Sequence, residues 1–118
     1  MDKVNRCTEE LTAAIQTCRA YVQFEEAKER LKEYPELYTK VNQFRRKNYE
    51  MQSRKDDIDW FLEMENFERE HEELRRNPLV SEFLRTELHM CRMLQRINEA
   101  VAASVDLEIQ DFADIIEW

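Results

Sequence analysis

The chain has 118 residues, of which 37% are charged and 42% hydrophobic, with a formal net charge of −8, two prolines and no glycine. This length predicts one domain over residues 1–118, and so few glycines and prolines leave little turn chemistry for β-hairpins. The acidic balance opposes binding to nucleic acid or to an anionic membrane, and no apolar run reaches the roughly 18 residues of a membrane span.

The amino-terminal segment and the cysteines predict a cytoplasmic protein. The opening residues MDKVNRCTEE lack the apolar core of a signal peptide. Cys7, Cys18 and Cys91 are odd in number and form no C-x-x-C motif, which is typical of a reduced compartment. We expect small buried or half-buried thiols, and the alternative is that a cysteine is a ligand of an intermolecular cluster. Cys7 and Cys18 are about 16 Å apart on one continuous helix, so we expect no disulfide between them.

The first predicted helix begins at Thr8 and ends near Tyr34. Thr8 is a favourable N-cap, and the two glutamates after it suit the first helical turn. Apolar side chains then recur every three or four residues and predict one long buried face. They are Leu11, Ile15, Cys18, Val22, Phe24, Ala27, Leu31 and Tyr34.

The second predicted helix begins at Pro35, because proline is excluded from helix interiors but fits the first helical position. Its apolar stripe follows a seven-residue repeat that suits packing against a neighbouring helix. The stripe contains Leu37, Val41, Phe44, Asn48 and Met51. The polar segment after it predicts a short break with Asp56 or Asp57 as the next N-cap, and the alternative is a continuous helix.

The third predicted helix is amphipathic, with apolar-face positions Trp60, Met64, Phe67, His71 and Leu74. Asn77-Pro78 is the clearest boundary, because asparagine caps helices well and proline suits the first helical position. The fourth helix therefore starts at Pro78. Its apolar face is broad enough for two neighbours and contains Val80, Phe83, Leu84, Leu88, Cys91, Leu94, Ile97, Val101 and Val105.

The predicted fold class is all-α, an antiparallel hairpin or bundle of about four long helices with a short C-terminal segment. That segment carries Phe112, Ile116 and Trp118 and is too apolar to be a solvated tail. Together with the broad face of the fourth helix, it predicts an oligomer, and we expect a homodimer.

The candidate catalytic chemistry is incomplete. Glu68 and His71 form one E-x-x-H pair, whereas a di-iron helical bundle needs two such pairs and two more carboxylates. Nucleophile elbows, phosphate loops and zinc-protease motifs are absent from the sequence. We therefore predict no catalytic residue, no metal and no cofactor, and a metal-binding helical-bundle enzyme is the disfavoured alternative.

A buried ion pair is predicted between the second and fourth helices. Glu87 and Asn98 fall on or near the apolar face of the fourth helix, where an unpaired charge would be costly. Arg45 is the predicted partner of Glu87, because a guanidinium can bind a carboxylate through two hydrogen bonds.

A basic run in the second helix has two interpretations. Arg45, Arg46 and Lys47 stand close to Lys40, Arg54 and Lys55 in a chain that is otherwise acidic. The run is either a solvated helix face or a docking patch for an acidic partner or RNA. The predicted partner-binding residues of this segment and of the tail are Phe44, Arg45, Arg46, Lys47, Asn48, Gln52, Phe112, Ile116 and Trp118.

Four patterns along the chain resemble those of the YlbF/YmcA family of small helical bacterial proteins. They are L-x-x-A-I-x-x-C-x-x-Y from Leu11, L-x-x-x-P-E-L from Leu31, F-R-x-x-N-x-x-x-Q from Phe44 and N-P-x-V-x-E-F-L-x-x-E from Asn77. Each pattern alone is only a helix pattern, but their order and spacing cover most of the chain.

The resemblance implies a non-enzymatic regulator or adaptor of competence, biofilm formation and sporulation that acts through protein–protein interaction. Family members form homo- or hetero-oligomers, which implies paralogous members and a complex governing the RNA-processing endonuclease RNase Y as partners. Some members carry a cysteine-rich C-terminal tail associated with iron–sulfur clusters, whereas this chain ends without cysteine after Cys91. The alternative function is an RNA-binding adaptor that uses the basic segment from Arg45 to Lys55.

Overall fold

The computed structural model of the chain describes residues 2–53 and 59–108. In these two ranges 88% of the residues are helical and none lies in a strand, which confirms the all-α prediction. The helices are α1 (Asp2–Thr17), α2 (Arg19–Lys32), α3 (Pro35–Gln52), α4 (Trp60–Glu70), α5 (Glu72–Arg76) and α6 (Pro78–Ala103). The prediction of about four long helices was wrong in number, because two predicted helices are each divided.

The first predicted helix is divided at Cys18. The backbone of Cys18 is extended (φ −71°, ψ 156°), and this residue precedes α2 without a capping side-chain hydrogen bond. The predicted start at Thr8 was also wrong, because α1 already includes Asp2. Thr8 lies inside α1, where its hydroxyl donates to the Val4 carbonyl over 2.8 Å instead of capping the helix.

The predicted turn before Pro35 is confirmed. Helix α2 ends at Lys32, and Pro35 is the first residue of α3 after Tyr34. Its fixed φ and missing N–H favour this position over the helix interior.

The predicted break between the second and third helices is also present, since α3 ends at Gln52 and α4 begins at Trp60. Asp59 occupies the N-cap position of α4. The predicted N-caps, Asp56 and Asp57, lie outside the described residues. The indole N–H of Trp60 donates to the Met51 carbonyl over 2.6 Å and holds the start of α4 against the end of α3.

His71 divides the third predicted helix into α4 and α5. Its backbone leaves helical geometry (φ −108°, ψ 11°). The boundary at Asn77 is confirmed, because the Asn77 side-chain oxygen accepts a hydrogen bond from the Leu79 N–H at 2.9 Å. That bond satisfies one of the N–H groups that a helix start leaves without a partner.

The core consists of two clusters of buried side chains. The first joins α2, α3 and α6 and contains Ala27, Leu31, Val41, Val80 and Phe83. The second joins α3 and α4 and contains Phe44, Met51 and Phe67, with the two phenylalanine rings stacked at 5.0 Å. Helices α2 and α6 make the most extensive contact between any two helices, which includes the stacked rings of Phe24 and Phe83 at 5.3 Å.

Helix α1 departs from the predicted long buried face. It contains no buried residue, its main contacts are with α2, and Val4 and Leu11 are exposed. The divided first helix explains this, because the chain changes direction at Cys18 and carries the apolar stripe of α1 away from the core.

The apolar face of α6 is buried only in its first half. Val80, Phe83 and Met90 are buried, whereas Leu94 and Val101 are 43% and 62% exposed. The chain is correspondingly extended: its radius of gyration is 18.0 Å, against about 13–14 Å for a compact domain of this length.

The predicted C-terminal segment is described only as far as Glu108. Val105 and Leu107 are exposed, so this part of the segment does not lie on the helices of its own chain. Phe112, Ile116 and Trp118 lie outside the described residues.

Candidate functional site

The predicted pair of Arg45 and Glu87 meets where α3 passes α6. The guanidinium Nε of Arg45 contacts the Oε2 atom of Glu87, and the two side chains are only 28% and 17% exposed. The guanidinium also donates to the Asn42 side-chain oxygen at 3.1 Å and lies 5.0 Å from the ring centre of Phe83. The charge pair thus lies at the edge of the first core cluster and ties α3 to α6.

Tyr49 supplies a second partner to Glu87 that sequence reasoning missed. Its hydroxyl donates to the Oε1 atom of Glu87 over 3.2 Å. Burial of the hydroxyl, followed by the charges of Glu87 and Cys91, raises the pKa of Tyr49 to about 12. The available signal was the spacing from Arg45 to Tyr49, because residues four apart project from one side of a helix.

Both oxygens of the Glu87 carboxylate are therefore engaged. Arg45 contacts one oxygen and Tyr49 binds the other. Such an arrangement holds α3 and α6 in register, and it engages the two oxygens that Glu87 would need for proton transfer or nucleophilic attack.

Asn98, the other polar residue that the sequence placed near the apolar face of α6, is exposed to solvent. Its amide can therefore hydrogen-bond to water and needs no protein partner.

The basic run of α3 is largely paired within the chain. Arg46 Nε lies 3.1 Å from a carboxylate oxygen of Glu50, and Lys47 Nζ lies 3.9 Å from one of Glu70. Arg54 and Lys55 lie outside the described residues. The paired carboxylates reduce the positive charge that this segment offers to an acidic partner or to RNA, so the geometry favours the solvated-face interpretation.

The other candidate partner residues of α3 differ in accessibility. Phe44 is buried in the second core cluster, where it serves packing and is not available to a partner. Asn48 is half-buried and Gln52 is exposed.

His71 has a packing role in the described structure. Its ring lies 5.2 Å from the ring of Phe44 and 4.6 Å from that of Phe67, and its Nδ1–H donates to the Phe67 carbonyl over 2.8 Å. Glu68 is exposed to solvent. Among residues 2–53 and 59–108, no three histidine, cysteine, aspartate or glutamate side chains are grouped so that they could hold a metal ion.

The three cysteines are free thiols. Cys18 and Cys91 are partly buried, but Cys7 is exposed, so the prediction of burial was wrong for Cys7. In the part of the chain that the structure describes, no helix combines the length and the apolar character that crossing a membrane requires.

Comparison with known protein families gives one finding that concerns nearly the whole chain. Residues 5–106 match the family described as "Control of competence regulator ComK, YlbF/YmcA". Searches of curated proteins and of solved structures give no match.

Proposed function

Because the chain belongs to the YlbF/YmcA family, we propose that it is a non-enzymatic regulator that acts through protein–protein contacts as a homodimer. The family description, control of a competence regulator, supports a regulatory role. In this proposal the protein works in the cytoplasm with paralogous family members and a complex that governs RNase Y. The processes regulated are competence, biofilm formation and sporulation.

The observation that carries the homodimer is a pair of apolar helix faces that nothing covers within residues 2–53 and 59–108. One is the stripe of α1 that contains Val4 and Leu11, and the other is the second half of α6 with Leu94 and Val101. Most of the stability of a helix in a protein comes from packing of its apolar face. Both faces are therefore expected to be covered in the working molecule.

A second copy of the chain is the occupant that fits both faces together. A two-fold interface uses the same surface of each subunit, so one assembly step would cover two copies of each face. The apolar positions of both faces are spaced by three, four or seven residues, which is the spacing that places side chains between those of an adjacent helix. The extended shape of the single chain also supports this assembly.

The assembly can be tested with a charge on the exposed half of the α6 face. We expect the wild-type protein to have twice the chain mass by light scattering at micromolar concentration, and Leu94→Glu/Val101→Glu to be monomeric. The matched control is Phe61→Glu/Leu62→Glu, because Phe61 and Leu62 are also exposed apolar residues but lie on α4. A monomeric wild type with a fully helical circular-dichroism spectrum would refute the dimer.

The regulatory role can be tested by recovery of partners from the native host. Tagged wild-type protein should recover paralogous family members and the complex that governs RNase Y, and treatment of the lysate with ribonuclease A should leave this recovery unchanged. Loss of every recovered protein on ribonuclease treatment would overturn the proposal in favour of the RNA-binding adaptor.

A further inference from the structure

The side of α6 that faces away from the core carries a row of basic side chains. Arg85, His89, Arg92 and Arg96 are exposed and succeed one another at intervals of four, three and four residues. At about 1.5 Å of rise per residue, this basic stripe is roughly 16 Å long and keeps to one side of the helix. With Leu88 these four residues line a shallow groove.

The arginines of the basic stripe differ in whether a carboxylate of the described residues pairs with them. Arg85 is held by Glu82 through two hydrogen bonds of 2.7 and 3.1 Å. Arg92 and Arg96 have no carboxylate within 4.0 Å among the residues that the structure describes. Two guanidinium groups with free donors are thus displayed on a chain whose net charge is −8.

We propose that the basic stripe is a docking surface for an acidic amphipathic helix of a protein partner. Arg92 follows Arg85 by seven residues and Arg96 follows His89 by seven, which is the repeat that keeps side chains facing an adjacent helix. A partner helix with carboxylates at the same interval can bind the guanidinium groups, which form paired hydrogen bonds with carboxylates. Leu88, 49% exposed in the groove, supplies the apolar contact.

The surroundings of the stripe favour a helix over a nucleic acid. Glu82 stands before the stripe and Glu99 follows it on the same side of α6, so carboxylates bound the basic surface at both ends. A long polyanion would continue past the stripe into this acidic surface and be repelled. A partner helix of about three turns ends within the basic stripe.

The stripe is also separate from the proposed dimer surface. By helical register it lies on the side of α6 opposite Phe83, Met90 and Leu94. An antiparallel pairing of two α6 helices through their stripes would place Arg85 opposite Arg96 of the other copy, and like charges repel. A partner helix on the basic stripe and a second copy of the chain on the apolar face can therefore bind at the same time. The docking surface thus goes beyond the proposed function.

The test uses the full-length protein and a fluorescent helical peptide with glutamates and leucines at seven-residue intervals. Anisotropy should show saturable binding that weakens several-fold as ionic strength rises from about 0.05 to 0.5 M. The Arg92→Glu/Arg96→Glu variant should bind the peptide at least tenfold more weakly, with an unchanged melting temperature because both side chains are exposed. The matched control, Arg46→Glu/Lys47→Glu, changes the net charge equally on α3 and should retain wild-type affinity.

Four outcomes overturn the inference. One is equal peptide affinity for the wild type and the Arg92→Glu/Arg96→Glu variant, and another is an equal loss in both charge-reversed variants, which would make the effect one of net charge. The third is tighter binding of a single-stranded RNA of the same charge than of the peptide. Salt-sensitive self-association that is lost in the Arg92→Glu/Arg96→Glu variant also counts against it, since the occupant would then be a second copy.

Discussion

Replacing Arg45 by methionine should destabilise the fold far more than the same replacement of its neighbour Arg46. Methionine keeps much of the apolar stem of arginine but removes the guanidinium, which lies over the ring of Phe83. Glu87 would then remain partly buried with only the Tyr49 hydroxyl as a partner. Arg46 is 84% exposed and pairs with Glu50 one turn away, so it provides the matched control.

The expected loss in the free energy of unfolding follows from how deeply Arg45 and Glu87 are buried. Removing one partner of a fully buried ion pair costs about 3–5 kcal/mol, because a charge is left without compensation. Arg45 and Glu87 retain 28% and 17% exposure, and Tyr49 still donates to the carboxylate, so solvent and the phenol reduce the cost. We expect about 2–3 kcal/mol for Arg45→Met. An exposed pair such as Arg46 and Glu50 contributes about 0.3–0.5 kcal/mol.

The free energy of unfolding can be measured by urea denaturation followed by circular dichroism. Both variants and the wild type should be compared at one protein concentration, because the apparent stability of the proposed dimer would depend on concentration. The free energy of unfolding should fall with urea concentration at the same slope in all three proteins. Equal slopes show that a change in the midpoint is a change in stability.

A double variant distinguishes the cost of leaving Glu87 without a charged partner from the cost of losing the packing of the arginine side chain. Arg45→Met/Glu87→Leu removes both charges, and replacing a buried ion pair by apolar groups is often nearly neutral. It should therefore recover most of the stability lost in Arg45→Met. If Arg45→Met and Arg46→Met unfold within about 0.5 kcal/mol of each other, the Arg45–Glu87 pair does not stabilise the fold and the reasoning is wrong.

Two further predictions concern Tyr49 and Asn77. The pKa of Tyr49 is about 12 in the folded chain and about 10 in an unfolded one. Its contribution to stability is therefore complete below about pH 10 and is lost as the pH rises towards 12. When tyrosinate absorbance is followed against pH, the wild type should show one tyrosine that ionises near pH 12, and Tyr49→Phe should lack it. The same high-pH ionisation in both proteins would contradict the assignment to Tyr49. Asn77→Ala should lower stability by about 1 kcal/mol in urea, because it removes the N-cap of α6. Asn98→Ala, at an exposed position inside the same helix, should change it by less than about 0.5 kcal/mol.

The sequence predicted the features that depend on one residue type at one position. Pro35 and Asn77 begin helices because of their own backbone and side-chain chemistry, and both boundaries agree with the structure. The seven-residue stripe of α3 predicted that Val41, Phe44 and Met51 would be buried, as they are. In each case the physical cause is local, so the sequence alone contains the information.

Features that depend on distant contacts could not be predicted. No glycine or proline marks the breaks at Cys18 and His71, and apolar periodicity continues through both positions. Such a break is set by how the helices pack, which a periodic pattern does not record. The basic stripe was missed for another reason: its four residues are dispersed over the twelve positions from Arg85 to Arg96 and align only when α6 is formed.

The break at Cys18 also explains how α6 can serve both folding and the proposed assembly. With no break at Cys18, the apolar stripe of α1 would continue that of α2, which packs on α6. Because the chain turns away, the first half of α6 carries the core through Val80 and Phe83, while the second half keeps its apolar face open. Substitutions that unfold the protein should therefore concentrate before Met90, and those that affect only assembly should lie after it.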